Sequence, residues 1–405
     1  MQKFALGLPT GHETVLPLRG TNQTGMRARN ERLVLSLVRQ HGALSKAEIA
    51  RLTGLSAQTV SVIVRALEAE GLLAKGDPVR GKVGQPSVPM HLDENGAFFL
   101  GLKVGRRSLE LVLIDFLGKV LARRMRVHTH PEPEATIAFA HDAIGQLILT
   151  LPPEHRSRIA GLGIAIPFFL WDWAQMLGVP PERMAGWRTI DIRAEIAARH
   201  SLPVFVQNDA SSACAAELVF GKTDLPPEFL YFYVGYFIGG GVVLNHALFS
   251  GAGGNSGALG PLPVPGPDGT PAQLIDVASL TRLESDLAAA GFETASLWED
   301  VRHWKADPAI LDAWIDTAAR GLAHAVVSAC SIVDFGQVLI DGWLPRDVAA
   351  RLVDRTRLHL GTFDVTGLNI PEIRLGTIGA DARALGAASL PLSERFLIDT
   401  EAQRA

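Results

Sequence analysis

At 405 residues, with 47 % hydrophobic and 20 % charged residues, the chain is long enough for two or three soluble globular domains and too apolar for a disordered one. Two cysteines exclude a disulfide framework, and no uninterrupted apolar run is long enough to span a bilayer, since residues 230–244 are short and broken by glycine. The net charge of −4 is unevenly spread: residues 1–92 hold 12 Lys and Arg against 6 Asp and Glu, whereas residues 93–405 hold 26 against 36. A basic head on an acidic body suits a nucleic-acid module joined to something that does not touch DNA.

Residues 1–25 read as a polar, flexible lead-in with no apolar core of a signal peptide, so a cytoplasmic protein is expected. A helix is predicted over residues 30–42, with Leu33, Val34, Leu37 and Val38 inward, and Arg27 and Arg29 just before it can reach a DNA backbone. Residues 45–71 then read as a helix-turn-helix. Ser45 with Glu48 three positions on makes a capping box, Gly54 supplies a left-handed turn residue, and Ser56 opens a second helix. Val60, Ile63, Val64 and Leu67 form its buried stripe, which leaves Ala57, Gln58, Ser61 and Arg65 on the opposite, DNA-facing side. Gln58 and Arg65 are base-reading residue types. The plainer alternative is a helical hairpin with a solvated polar face. Two short strands, 72–75 and 88–92, flank a glycine-rich basic turn whose Arg80 and Lys82 suit phosphates or the minor groove, which completes a winged helix-turn-helix over residues 26–93.

From residue 97 the pattern changes to a β-meander, FFLGLKV, LELVLID and GKVLARRMRV, followed by a helix over 134–151, a strand over 159–166, a helix near 191–200 and a strand over 203–207. Alternating strands and helices make this body α/β. Asn208 and Asp209 then fall where a strand's carboxyl end meets a helix N-terminus, a common place for ligand-binding polar groups. The alternative makes Asp209 an N-cap of the helix 210–220. Residues 230–244 read as two strands joined through Gly239, Gly240 and Gly241, a run that lets backbone approach either a phosphate or another strand. Helices are predicted over 275–289, 297–305 and 308–331, the last a core or dimer helix, with a strand over 338–341, a helix within 344–360, a short strand at 373–375 and a last helix opening at 380–388. Cys214 and Cys330, in apolar helical settings, read as core thiols.

With these segments in place the chain resembles the ROK family of repressors, open reading frames and kinases, in its NagC/Mlc/XylR-like regulators. The resemblance covers residues 20–390 and rests on NERLVLSLVRQHG before the winged module, NDA followed by AAE, IGGGVVLNHALFSGAGGNSG, VDFGQVLIDG and GADARALGAASL. It implies an α/β fold with an N-terminal winged helix-turn-helix and a two-lobed actin/hexokinase-like body over residues 94–405 that binds a sugar and dimerises. It makes Asn208 and Asp209 the sugar-hydroxyl ligands, Asp209 being the kinases' catalytic base. Other positions depart: Lys103 stands at the aspartate of the kinases' first phosphate loop, Ala258-Leu259-Gly260-Pro261 at their Glu-x-Gly-His motif, residues 265–275 at their cysteine-rich zinc segment without a cysteine or histidine, and Ile275 at the glutamate that follows it.

The expected function is therefore a transcriptional regulator, a repressor of carbohydrate uptake or catabolism genes, which binds an inverted-repeat operator as a homodimer or homotetramer and is controlled by a small sugar or polyol. No enzymatic activity, cofactor, metal or membrane is expected. The alternatives are a ROK sugar kinase with a fused DNA-binding head, and a regulator that answers to a protein partner.

Overall fold

The computed structural model describes residues 23–78, 87–174, 177–222 and 224–398. They fall into two units, one holding the chain up to Ile164 with Phe169–Val206 and the residues from Ala387 on, the other holding Ala165–Phe168 and Gln207–Gly386.

The first unit begins with the predicted head: α1 (Gln23–His41), β1 (Leu44–Ser45), α2 (Lys46–Thr53), α3 (Ala57–Ala69), β2 (Leu73–Lys75) and β3 (Pro89–Leu92), the strands forming an antiparallel sheet in the order β1-β3-β2. The capping box is present: Glu48 N donates to Ser45 Oγ at 3.2 Å, and Ser45 N to Glu48 Oε2 at 2.8 Å. Gly54 has φ +70°, and Ser56 Oγ accepts from Thr59 N at 3.1 Å to open α3. Val60, Ile63, Val64 and Leu67 are buried with Ile49 of α2 and Val34, Leu35 and Val38 of α1. Burying each such side chain contributes roughly 1.5–3 kcal/mol, enough to set the orientation of α3. Two details differ from expectation. Helix α1 starts at Gln23, within the supposed lead-in, and its inward face carries Leu35, with Leu33 and Leu37 only half-buried. The wing turn with Arg80 and Lys82 lies outside the described residues.

The same unit continues with β4 (Phe98–Val104), β5 (Ser108–Ile114), β6 (Val120–Val127), α4 (Pro133–Thr150), β7 (Ile159–Ala165), α5 (Pro181–Ala185), α6 (Ile192–Arg199) and β8 (Val204–Gln207). The sheet runs β6-β5-β4-β7-β8, and β4, β5 and β6 form the predicted antiparallel meander. Head and meander are joined by Arg39 of α1, which donates to the Phe116 carbonyl and lies 5.2 Å from the Phe116 ring centre. Burial holds its pKa down at about 10, against the nearby Asp115 carboxylate.

The second unit contains α7 (Asp209–Phe220), β9 (Phe229–Val234), β10 (Gly239–Leu244), β11 (Ala247–Leu248), β12 (Pro263–Pro265), β13 (Pro271–Gln273), α8 (Leu274–Ala278), α9 (Leu280–Ala289), α10 (Ser296–Glu299), α11 (Pro308–Cys330), β14 (Gln337–Gly342), α12 (Arg346–Leu360) and β15 (Glu372–Leu375). The last helix, α13 (Ala382–Phe396), begins here and ends in the first unit. The five-stranded sheet runs β11-β10-β9-β14-β15, with β14 parallel to both β9 and β15. Strand alternation divides the core: Leu230, Phe232 and Val234 pack with Trp314, Ile315 and Leu322 of α11, while Phe229, Tyr231 and Tyr233 pack with Ala213, Cys214 and Ala216 of α7.

Two helical expectations and one about a strand connection need correction. The predicted 275–289 helix breaks at Ser279, whose extended backbone (ψ 154°) frees its Oγ and carbonyl to take the Ile238 N–H and the Trp314 indole N–H. The 297–305 helix is only the four residues of α10. The three glycines lie inside β10 rather than in the connection, because α7 rests on that strand: a Cβ at Gly239 would come 2.7 Å from Ala210 Cβ, and one at Gly241 2.5 Å from Cys214 Cβ. The segment at the family's zinc loop folds as the β12–β13 hairpin, closed by Gly266 N donating to Thr270 O at 2.7 Å and by the Asp268 carboxylate capping Thr270. Among the described residues, no helix is long and apolar enough to cross a membrane.

Candidate DNA-reading face and effector site

The first candidate surface is the outer face of α3. Ala57, Gln58 and Arg65 are exposed and Ser61 is half-exposed, as the stripe opposite Val60 and Leu67 requires. Val62, 46 % exposed, lies on the same stripe at i+4 from Gln58, a spacing visible in the sequence. An exposed valine in this position matches the methyl group that thymine presents in a major groove. Arg65 Nε donates to its own helix at Ser61 O, 3.1 Å, so reading a base requires this guanidinium to swing away.

The second candidate lies in the second unit, where β8 hands over to α7. Asn208, not Asp209, is the N-cap of α7: its Oδ1 accepts from Ala210 N and Ser211 N at 3.0 and 3.2 Å. That corrects the alternative in which Asp209 caps the helix, and it engages Asn208's carbonyl oxygen internally. Asp209, the first residue of α7, instead forms an ion pair with Arg383 of α13, Nη1 to Oδ2 at 3.2 Å, the two side chains 16 % and 13 % exposed.

Packing brings this pair about. Gly386 of α13 rests against the Ser212 carbonyl of α7, and one turn before that contact on each helix stand Arg383 and Asp209. Beneath them the Tyr233 ring lies 4.9 Å from the guanidinium carbon. Burial pulls the Arg383 pKa down, but the Tyr233 phenol and the Asp209 carboxylate outweigh it and the guanidinium stays charged. Burial pushes the Tyr233 phenol up to about 12 despite Arg383.

Two deeper carboxylates set the start of α13. Glu217, fully buried on α7, accepts from Thr377 N at 2.9 Å, Thr377 Oγ1 at 2.7 Å and Ile378 N at 3.3 Å. Asp341, on β14 opposite Tyr233, accepts from Gly379 N at 2.8 Å and Tyr231 OH at 3.3 Å. Burial raises its pKa to about 6, with the Gly379 N–H acting against the rise and Glu217 adding to it. Both carboxylates pin the 376–379 loop and so fix where Arg383 emerges. Sequence reasoning found Asn208 and Asp209 but missed Arg383, Tyr233, Asp341 and Glu217. The alternation in LYFYV placed both tyrosines on one face, and an arginine among the small residues of ARALGAAS was a legible anomaly.

Lys103 is buried on β4, its Nζ 3.2 Å from Ser108 Oγ and 3.0 Å from Glu110 Oε2, with Arg123 Nη1 2.9 Å from Glu110 Oε1. Its charge is therefore spent within the sheet. At the position of the sugar-binding Glu-x-Gly-His motif, Leu259 and Gly260 are buried and Ala258 and Pro261 exposed, so this stretch presents no side-chain donor or acceptor. Among the described residues, no group of three or more His, Cys, Asp and Glu side chains is placed to hold a metal ion.

Comparison with known proteins shows the family of the body and of the head. The ROK family matches residues 99–393, and a winged helix-turn-helix DNA-binding family matches residues 27–74. The chain is 27 % identical to the y4fQ protein of Sinorhizobium fredii over 91 % of each, and 28 % identical to the xylose repressor of Bacillus subtilis over 59 % of this chain and 61 % of the repressor. Its fold resembles the crystal structure of a ROK family transcriptional regulator, a homologue of the Escherichia coli Mlc protein, with a TM-score of 0.65 at 20 % identity, covering 92 % of this chain and 97 % of that one.

Proposed function

Because the chain belongs to the ROK family and joins a winged helix-turn-helix to the family's body, we propose that it is a sugar-responsive transcriptional repressor of carbohydrate genes rather than a kinase. The observation that carries this reading is the α3 face: a buried stripe of Val60, Ile63, Val64 and Leu67 holds Gln58, Ser61, Val62 and Arg65 outward on a helix with intact caps. The similarity to a relative named xylose repressor supports it. One such head reads few bases, so the protein acts as a homodimer or homotetramer on an inverted repeat. Asn208 and Asp209 mark the effector site, and Arg80 and Lys82 add wing contacts to phosphates.

Phosphoryl transfer is disfavoured by two local facts. Catalysis of that step rests on carboxylate-held metal at the phosphates, and the corresponding position is a buried lysine paired with Glu110. The carboxylate that would take the proton is paired with Arg383.

Selection from a random duplex library, followed by anisotropy titration of the enriched sequence, tests the reading. We expect an inverted repeat bound at least a thousandfold more tightly than random DNA at physiological salt. Equal affinity for selected and random duplexes would overturn it.

A further inference from the structure

We propose that the effector is an anionic polyhydroxy compound, a sugar acid or sugar phosphate, whose charged group is held by Arg383 while its hydroxyls meet Asp209. This rests on the reading of Asn208 and Asp209 as the effector site and narrows it to a charge class.

The first argument is what Arg383 leaves unsatisfied. Of its five N–H donors one bonds Asp209 and the Tyr233 hydroxyl interacts with the guanidinium from below, while the buried Nε makes no hydrogen bond of normal geometry and Ser212 Oγ, one turn along α7, is buried without a hydrogen-bond partner. Tyr233 is 2 % and Ser212 0 % exposed. Buried polar atoms without partners are uncommon, and here the Arg383 Nε and Ser212 Oγ belong to one partly open ion pair and the helix turn next to it.

The second argument is charge balance. A neutral sugar that displaced the guanidinium from Asp209 would leave a largely buried cation alone, which is costly, and one that bonded only the free Asp209 Oδ1 would leave the remaining Arg383 donors unused. A ligand that brings its own carboxylate or phosphate replaces the counter-charge as it breaks the pair, and a guanidinium binds either oxyanion through two parallel N–H bonds. The other carboxylates of the cluster do not compete for the cation: Glu217 is bonded to Thr377 and Ile378, and Asp341 to Gly379 and Tyr231.

The third argument is the field. Asp209 and Arg383 sit in the first turns of α7 and α13, and these turns pack together at Ser212 and Gly386. Two helix N-termini therefore converge on the place where the ligand's negative group would lie.

The test uses the full-length protein and matched ligands: glucose, gluconate, glucuronate and glucose 6-phosphate, xylose and xylonate, galactose and galactonate, with inorganic phosphate and sulfate as controls. Thermal shift and release of the selected operator are read for each. We expect at least one acid or phosphate ester to act at a concentration tenfold or more below its neutral parent. Carboxylate and phosphate members separate the two sources of charge. Arg383→Gln should abolish that preference, and Arg383→Lys, which keeps the charge on a side chain of similar length, should retain it at reduced affinity. A response to neutral sugars that matches or exceeds their acids would overturn the inference and leave the sugar reading standing. Inorganic phosphate as effective as the sugar phosphates would overturn the polyhydroxy part, and no response to any compound would overturn both.

Discussion

Gly386 on α13 lies so close to Ser212 on α7 that a Cβ added to it would come 1.7 Å from the Ser212 carbonyl oxygen. The contact holds two helix starts at one separation, and the Asp209–Arg383 pair one turn away depends on that separation. Gly386→Ala should therefore force the helices apart, cost about 1–3 kcal/mol in unfolding free energy and weaken the effector response while leaving operator affinity intact. Urea denaturation and operator release measure the two effects. Wild-type stability in this variant would show that the helices can separate without strain.

On α3, Gln58→Ala and Arg65→Ala should each cost about 1–3 kcal/mol in binding to the selected operator, with a smaller change on random DNA. Val62→Ala should relax preference at a thymine and cost less. Arg80→Ala or Lys82→Ala in the wing should weaken binding to all DNA and reduce its salt dependence. Anisotropy titrations across salt separate these behaviours, and equal loss on random and selected DNA for Gln58→Ala would rule out α3 as the reading helix.

Asp341 predicts a pH effect of definite sign. Its native pKa is raised to about 6 from an ordinary 3.8, so its contribution to stability is fully present below the unfolded value and is lost as pH rises through about 6. Asp341→Asn keeps an acceptor for the Gly379 N–H but has no charge to bury. The stability of this variant relative to wild type should rise by about 2–3 kcal/mol between pH 4 and pH 7.5. Denaturation at a series of pH values would show it, and a difference independent of pH would mean that Asp341 titrates normally.

The Lys103–Glu110 pair should behave as a buried ion pair with one outward support. Lys103→Met removes a charge partner from Glu110 and should cost about 3–5 kcal/mol, reduced to the extent that Arg123 compensates. Lys103→Met combined with Glu110→Leu should recover most of that loss. A double variant no more stable than the single one would show that Glu110 is not what makes Lys103 necessary.

A fifth measurable distinction concerns Asp209. Since Asn208 is the cap, Asp209→Asn should leave helix capping unchanged and weaken only the pairing with Arg383. We expect folded protein with normal operator affinity and a requirement for about tenfold or more effector. An unchanged response would remove Asp209 from the effector site.

By itself the sequence determined what depends on near neighbours in the chain. The capping box at Ser45 and Glu48, the left-handed Gly54, the period of Val60, Ile63, Val64 and Leu67, and the alternation of the β4–β6 meander are all local, and each appears in the fold as expected. Helix ends were less legible where tertiary bonds override propensity, as at Ser279, whose Oγ and carbonyl serve Ile238 and Trp314 from other elements. Only the tertiary structure decided the surroundings of Asp209 that make up the candidate effector site. Asp209 and Arg383 are 174 positions apart, and their pairing follows from the crossing of α7 and α13 at two small residues, from buried Glu217 and Asp341 holding the loop before α13, and from β10 glycines letting α7 settle on the sheet. Such contacts arise from the packing of whole elements, so no local pattern around Asp209 could announce the cation that stands against it.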